Sequence, residues 1–247
     1  MAGHSKWANI KHRKGRADAK KGKIFSRVSK EIISAVKVGG PDPKGNARLK
    51  LALQKARSVN FPNDNIERVI KKASSEDQSD YDELTYELYG HGGVGIIADI
   101  MTDNKNRTAS DVRIATNKRG GNVATPGAVS FNFDRMGVIQ VKKETINEEE
   151  LFLIAGDAGA QDFDKSDEFF VIITDPADLY NVKEKLEEEG VQCDNASLDM
   201  IPKSYVEVDE ETAQANFALI EWLEDLDDVD VVYHNMEVPE GFGEGSD

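Results

Sequence analysis

The sequence predicts an α+β protein in which an amino-terminal three-helix domain precedes two α/β domains of ferredoxin-like character, the third inserted in the second. Helical spacing of apolar residues dominates the first third of the chain, and strand-like runs alternate with helices beyond it. The charge changes sign in the same region, across a polar segment without periodicity. We expect the basic tail and the helical domain to span residues 1–79. Residues 80–133 and 204–247 should form a discontinuous α/β domain, and residues 134–203 should form an inserted βαββαβ domain.

Three amphipathic segments predict the helical domain. The first, about Ala19 to Val38, has apolar residues at every fourth position, and the pair Gly39-Gly40 ends it. The second runs from about Gly45 to Val59, and the third follows Pro62. Both have apolar residues at i, i+3, i+4 and i+7. Lysine and arginine occupy most outward positions, so this domain should present a cationic surface.

The rest of the chain alternates strands and helices. In the second domain we expect two strands, a helix over Lys105 to Lys118, and a third strand over Ala128 to Phe133. From Gly137 the order is strand, helix, two strands, helix, strand, which is typical of a ferredoxin-like domain. Asp175 and Pro176 predict the N-cap and first residue of its second helix. Three later elements lack a complete partner set of their own: a strand over Tyr205 to Val208, an acidic helix over Glu210 to Leu226 and a last strand over Val229 to His234. We expect them to return and pair with the elements of the second domain.

The charge is divided between two parts of opposite sign. The first 72 residues hold 19 Lys and Arg and 5 Asp and Glu, a local charge of +14. The other 175 residues hold 12 basic and 41 acidic residues, or −29, and the two parts sum to −15. Phosphate backbones bind a cationic surface through counterion release. The charge pattern therefore favours a nucleic-acid-binding head on an acidic body.

The segment before the first helix, residues 4–16, is called the basic arm below. It mixes cations with hydrogen-bonding residues and one aromatic residue, Trp7, which would either stack on a base or anchor the chain. The cationic pattern continues onto the first helix, which favours nucleic-acid contact over a solvated tail. The candidate contact residues are His4, Ser5, Lys6, Trp7, Lys11, His12, Arg13, Lys14, Arg16, Lys20, Lys21, Lys23 and Arg27.

Patterns for catalysis or cofactor binding are missing from the sequence. The run from Gly90 to Gly95 matches G-x-G-x-x-G, but a strand-like segment follows it where a dinucleotide site needs a helix. We interpret the run as a glycine-permitted hairpin or bulge between two strands. His4 and His12 lack further ligands at the spacing of a zinc site. We therefore expect a protein that is not an enzyme and that has no metal and no small-molecule cofactor.

The composition indicates a cytoplasmic protein with no membrane partner. No apolar run approaches the roughly 20 residues that span a bilayer. The start of the chain has no apolar core, unlike a secretory signal. Its single cysteine, Cys193, excludes an internal disulfide and fits a reducing compartment. The sequence leaves the oligomeric state open.

Four blocks of sequence resemble the YebC/PmpR family: Ala2 to Lys14 (AGHSKWANIKHRK), Gly40 to Ala73, Tyr89 to Gly121 and Gly127 to Phe133. The resemblance implies three domains around a central cleft, with the third inserted in the second. It also implies a bacterial cytosolic protein described as a DNA-binding transcriptional regulator. A second view of the family, which includes its mitochondrial translational activator of cytochrome c oxidase, places it at the ribosome, assisting the synthesis of proline-rich stretches.

The resemblance extends to the segment Asp103 to Thr108. It suggests Asn104, Lys105, Asn106 and Arg107 as contacts for RNA or a protein partner, and the alternative is a capped helix N-terminus. The leading functional interpretation is a cytoplasmic DNA-binding transcriptional regulator. One alternative is a ribosome-associated translation factor that binds ribosomal RNA. A protein–protein adaptor, whose charges only maintain solubility, is the third.

Overall fold

The computed structural model describes residues 21–75, 81–166, 168–239 and 242. It confirms the predicted α+β class, with amino-terminal helices followed by antiparallel sheets. The chain divides into two compact units. Of the described residues, one unit holds 81–134 with 201–239 and 242, and the other holds 21–75 with 135–200. The three-domain boundaries expected from the sequence stay a prediction.

The elements follow one another in this order: α1 (Lys21–Gly39), α2 (Ala47–Ser58), α3 (Asn63–Ala73), β1 (Asp82–Tyr89), β2 (Gly95–Thr102), α4 (Lys105–Arg119), β3 (Asn122–Val123), β4 (Phe133–Lys142), α5 (Glu148–Ala158), β5 (Asp162–Lys165), β6 (Phe169–Thr174), α6 (Leu179–Glu188), β7 (Asn195–Pro202), β8 (Val206–Glu207), α7 (Glu210–Asp225), β9 (Val229–His234) and β10 (Met236–Glu237).

The predicted apolar seam of α1 is buried at Val28, Ile32 and Val36. A single amide, Asn46, joins α1 to α2. Its side-chain oxygen accepts a hydrogen bond from the backbone N–H of Leu49 at 2.9 Å, which caps α2. Its side-chain nitrogen donates to two carbonyl oxygens around the end of α1, one of them that of Gly40, at 2.9 Å. The turn between these helices is therefore held by one buried side chain.

The ferredoxin-like part has the strand order β5-β6-β4-β7, and β6 pairs antiparallel with both β5 and β4. Its helices α5 and α6 bury Leu151, Leu179 and Leu186 in one core with residues of the sheet. The predicted start of α6 at Asp175-Pro176 is wrong. Asp175 accepts a hydrogen bond from the N–H of Ala177 at 2.9 Å in a turn, and the helix begins at Leu179. The cap-like signal therefore forms a turn before the helix.

The sheet of the other unit has the order β3-β1-β2-β9. Strands β1 and β2 form a hairpin, and β9 returns to pair antiparallel with β2, as expected. The short strand β8 pairs in parallel with β10 instead of joining this sheet. The predicted strand over Ala128 to Phe133 is wrong, since a loop with a short 3-10 turn at Ser130–Asn132 precedes β4. Helices α4 and α7 pack on one face of the sheet.

Candidate nucleic-acid interface

Most of the predicted contact residues lie outside the described part of the chain. These are His4, Ser5, Lys6, Trp7, Lys11, His12, Arg13, Lys14, Arg16, Lys20 and the side chain of Lys21. Their role stays a prediction. Lys23 and Arg27 are described on α1, where both side chains are half-buried. Long cationic side chains can cover apolar surface with their stems while the charged end reaches solvent.

Helices α2 and α3 extend the cationic surface. Arg57 is exposed on α2, and Arg68, Lys71 and Lys72 are exposed at i, i+3 and i+4 on α3. Lys71 and Lys72 also lie in the last turn of α3, where a cation stabilises the helix by interacting with its dipole. Because these side chains are exposed, their charge also adds to the positive potential of the amino-terminal helices.

Two other cations of α2 form ion pairs. Lys50 lies 3.2 Å from a carboxylate oxygen of Glu184 and 4.0 Å from the ring centre of Tyr180. Lys55 pairs with Glu31 of α1. Exposed ion pairs are worth only about 0–1 kcal/mol and exchange readily. The sequence alone could not distinguish Lys50 and Lys55, which pair with carboxylates, from Arg57 and the cations of α3, because Glu184 and Glu31 are remote in sequence.

The segment proposed as an RNA or partner contact forms the start of α4. The side-chain oxygen of Asn104 accepts a hydrogen bond from the N–H of Arg107 at 3.1 Å and caps the helix. The ammonium of Lys105 lies 2.9 Å from a carboxylate oxygen of Asp82, and Asn106 is exposed. The structural alternative, a capped helix N-terminus, is therefore present, and the contact role stays a prediction.

Arg107 is held by two carboxylates. Its Nη2 donates to Asp228 at 2.6 Å and to Asp103 at 2.9 Å, and Asp228 is only 6% exposed. The hydroxyl of Thr108 donates to the same oxygen of Asp228 at 2.8 Å. Hydrogen bonds to Asp228 and then Asp103 raise the pKa of Arg107 above its ordinary value. This cluster ties the start of α4 to the turn before β9, so the charge of Arg107 is largely compensated within the fold.

Helix α4 carries a concentration of positive charge that the sequence analysis missed. Five of the 12 basic residues after residue 72 lie on it, against one acidic residue, whereas α5 and α7 have no basic residue. Arg119 lies 5.3 Å from the ring of Trp222. Arg113 and Lys118 are exposed and form no ion pair with the residues that the structure describes. A charge count for each predicted helix would have identified these cations. The net charge summed over residues 73–247 conceals them, because acidic residues dominate that part of the chain.

Most of the segment predicted as a strand, Ala128 to Phe133, lies in a firmly held loop, residues 124–132, which we call the Phe131 loop. Glu87, 8% exposed on β1, accepts hydrogen bonds from the backbone N–H groups of Gly127 at 2.7 Å, Val129 at 2.6 Å and Ser130 at 2.8 Å. Burial raises the pKa of Glu87, but these hydrogen bonds outweigh it and hold the pKa below its ordinary value. The loop presents Phe131 to solvent, and the residue is 70% exposed.

The glycine-rich run is a turn between β1 and β2, as the sequence analysis expected. Gly92 and Gly93 have positive φ angles of 66° and 81°, and β2 follows directly. The side chain of Asn216 accepts a hydrogen bond from the N–H of His91 at 2.8 Å. A Cβ atom at Gly90 would lie 2.2 Å from the same Asn216 oxygen. Glycine is therefore needed here for close packing within the protein.

Other kinds of site are scarce in the described part. Across residues 21–75, 81–166 and 168–239, no three His, Cys, Asp or Glu side chains converge to hold a metal ion. None of the described helices combines the length and apolar character needed to cross a membrane. Cys193 is half-buried, and burial raises the pKa of its thiol to about 11. A thiol with so high a pKa is a poor nucleophile at neutral pH.

Two family models together match nearly the whole chain. Residues 5–76 match the TACO1/YebC protein N-terminal domain, and residues 81–236 match the TACO1/YebC second and third domain. A curated relative from Protochlamydia amoebophila is 68% identical over 240 residues, which cover 97% of this chain and 98% of the relative. It is named a probable transcriptional regulatory protein.

A second relative, from Chlamydia trachomatis serovar L2, has the same type of name and is 61% identical over 96% of this chain and 100% of its own. Among solved structures, a conserved hypothetical protein from Aquifex aeolicus aligns with a TM-score of 0.87 at 44% identity, over 96% of this chain and 98% of that one. The matches cover both the amino-terminal helices and the two sheets. By these criteria the chain belongs to the TACO1/YebC family.

Proposed function

We propose that this protein is a transcriptional regulator that binds DNA through its basic arm and amino-terminal helices and has no catalytic activity. The observation that carries the proposal is the charge division: +14 over the first 72 residues against −29 over the rest. The exposed cations Arg57, Arg68, Lys71 and Lys72 support it, because they add to the same positive region. The names of the relatives from Protochlamydia and Chlamydia agree with a regulatory role.

The physical basis is the release of counterions from the phosphate backbone. If about eight phosphates are neutralised on duplex DNA, the logarithm of the binding constant should fall with the logarithm of salt concentration with a slope of about −7. The acidic remainder of the chain repels phosphate, so the cationic region is the part of the molecule that approaches DNA.

The test is a salt titration of duplex binding by the intact protein and two variants of equal charge change. One variant replaces Lys11, Arg13, Lys14 and Arg16 by glutamine. The control replaces four cations of the ferredoxin-like part by glutamine: Lys142, Lys143, Lys165 and Lys185. We expect the arm variant to lose affinity and about three to four units of slope, and the control to resemble the wild type. Equal behaviour of the two variants would refute the role of the arm.

A ribosome-associated translation factor that binds ribosomal RNA is the second candidate. The exposed aromatic ring of Phe131 favours it, because unpaired bases that can stack on such a ring are common in folded RNA and rare in duplex DNA. Crosslinking in cells, followed by sequencing of both recovered nucleic acids, separates the two functions. Recovery of ribosomal RNA without enriched promoter DNA would replace the first proposal by the second.

A further inference from the structure

Phe131 exposes a larger fraction of its side chain than any other aromatic residue that the structure describes. Single exposed apolar side chains are common on protein surfaces and need no special explanation. Phe131 differs because the backbone that carries it is held on both sides by buried or paired groups. The sequence predicts a strand at this residue, and that prediction does not indicate its exposure.

One side of the Phe131 loop is fixed to β1. The carboxylate of Glu87 accepts three backbone N–H groups of the loop, and Val129 is buried. The hydroxyl of Tyr89 donates to the carbonyl oxygen of Ala128 at 2.7 Å. Hydrogen bonds to a charged acceptor are about twice as strong as neutral ones. The loop geometry on this side is therefore set before any partner arrives.

The other side is fixed to the segment before β8. The backbone N–H of Lys203 donates to the carbonyl oxygen of Asn132 at 2.8 Å, and the side-chain amide of Asn132 donates to the carbonyl oxygen of Ser204 at 3.0 Å. The hydroxyl of Ser204 donates back to the Asn132 side chain at 2.8 Å. Phe131 lies between these two anchors, so contact with its ring requires little further ordering of the chain.

Polar groups, including a cation, hold the backbone at Phe131. The ammonium of Lys203 donates to the carbonyl oxygen of Phe131 itself at 3.1 Å and lies 3.0 Å from a carboxylate oxygen of Asp134. Lys203 and Asp134 are about half exposed, so a phosphate could take the place of Asp134 at little cost. A protein partner that bound Phe131 in an apolar pocket would be favoured by further apolar groups beside the ring. A nucleotide instead offers a flat base for the ring and a phosphate for the cation.

We propose that Phe131 is a stacking platform for one unpaired base of a nucleic acid, with Lys203 beside the adjoining phosphate. This inference rests on the nucleic-acid binding that both candidates under the proposed function share, and it adds a contact with an unpaired base at a place remote in sequence from the basic arm. Stacking on an aromatic ring is tolerant of base identity, so the platform selects unpaired nucleotides over duplex without selecting a sequence.

The test compares two probes of equal length and charge: a 12-nucleotide oligothymidylate and a 12-unit strand of abasic tetrahydrofuran phosphates. We expect Phe131→Ala and Phe131→Leu to bind oligothymidylate about tenfold more weakly than the wild type, since an aromatic–base stack has roughly this effect. Binding of the abasic strand should be unchanged. The salt slope should also be unchanged, because neither substitution removes a charge. Phe131→Trp should keep the affinity, and its added fluorescence should be quenched by oligothymidylate.

The matched control is Phe152→Ala, which removes another largely exposed ring, 57% exposed on the acidic helix α5. It should bind both probes like the wild type. If Phe131→Ala and Phe131→Leu retain wild-type affinity for oligothymidylate, the platform is refuted and the proposed function stands. If the wild type binds neither probe nor duplex DNA at low salt, the proposed function fails, and the platform fails with it.

Discussion

Replacing Glu87 by glutamine should destabilise the protein by about 2–4 kcal/mol, because the change removes the charge that holds the Phe131 loop. One carboxylate oxygen accepts the N–H of Gly127, and the other accepts those of Val129 and Ser130. Glutamine keeps one oxygen and turns an NH₂ group toward at least one of these donors. A hydrogen bond to a charged group contributes about 1.5–3 kcal/mol, and an unsatisfied buried donor costs about 1–3 kcal/mol.

The assay is urea unfolding of the wild type and Glu87→Gln, with hydrogen exchange at Gly127, Val129 and Ser130 as the local measurement. The control is Glu221→Gln, an exposed glutamate of α7 in the same unit, which should change the free energy of unfolding by less than about 0.5 kcal/mol. If Glu87→Gln is as stable as this control, or if the three amides exchange at wild-type rates, the carboxylate does not hold the loop.

The stability difference between the wild type and Glu87→Gln should depend on pH with a defined sign. The pKa of Glu87 is lower in the folded protein than in the unfolded chain, so folding is favoured by the ionised carboxylate. Its contribution is complete above the unfolded pKa, about 4.3, and is lost as the pH falls through the folded value. The stability difference between the wild type and Glu87→Gln should therefore be largest near pH 7 and shrink below about pH 4. A difference that grows on acidification would contradict this assignment.

Three further predictions concern contacts within one unit and the reactivity of Cys193. Gly90→Ala should lower stability by about 1–3 kcal/mol in thermal unfolding, because a Cβ atom would lie 2.2 Å from the side-chain oxygen of Asn216. Arg107→Ala should cost a similar amount, since the buried carboxylate of Asp228 loses its cation. Cys193, with a pKa of about 11, should react with iodoacetamide at pH 8 roughly 100-fold more slowly in the folded protein than in urea. A wild-type melting temperature in either variant would refute the corresponding contact. Equal alkylation rates in the folded protein and in urea would refute the effect of burial on Cys193.

The elements that the sequence predicts well have signals within a few residues of their ends. Helix α4 starts after Asn104, whose side chain caps it, and ends at Gly120, whose φ of 75° suits glycine. Strand β9 was predicted over its observed span, 229–234, because valine and tyrosine fill a short run before a polar pair. Local chemistry was sufficient for these elements and for the ferredoxin-like order of strands.

The predicted strand over Ala128 to Phe133 is wrong because a distant side chain decides the local structure. Apolar and polar residues alternate in this segment as in a strand, but Glu87, about 40 residues earlier, accepts hydrogen bonds from the N–H groups of Val129 and Ser130. The partner of Arg107 is also distant, because Asp228 lies 121 residues away in the sequence. The residue pattern within one segment cannot predict a hydrogen bond or ion pair to a side chain so far away in the sequence. The same reason explains why the sequence analysis missed the exposure of Phe131.

The pairing of β2 with β9 also has a consequence for synthesis on the ribosome. Ile96 aligns with His234 in this sheet, a separation of 138 residues. Until residue 234 has left the exit tunnel, one edge of β2 lacks its partner, and such edges promote aggregation. The ferredoxin-like segment, which lies between the two strands, can fold before that moment. Nascent chains arrested before β9 should therefore be more sensitive to proteases around β2 than in residues 135–200.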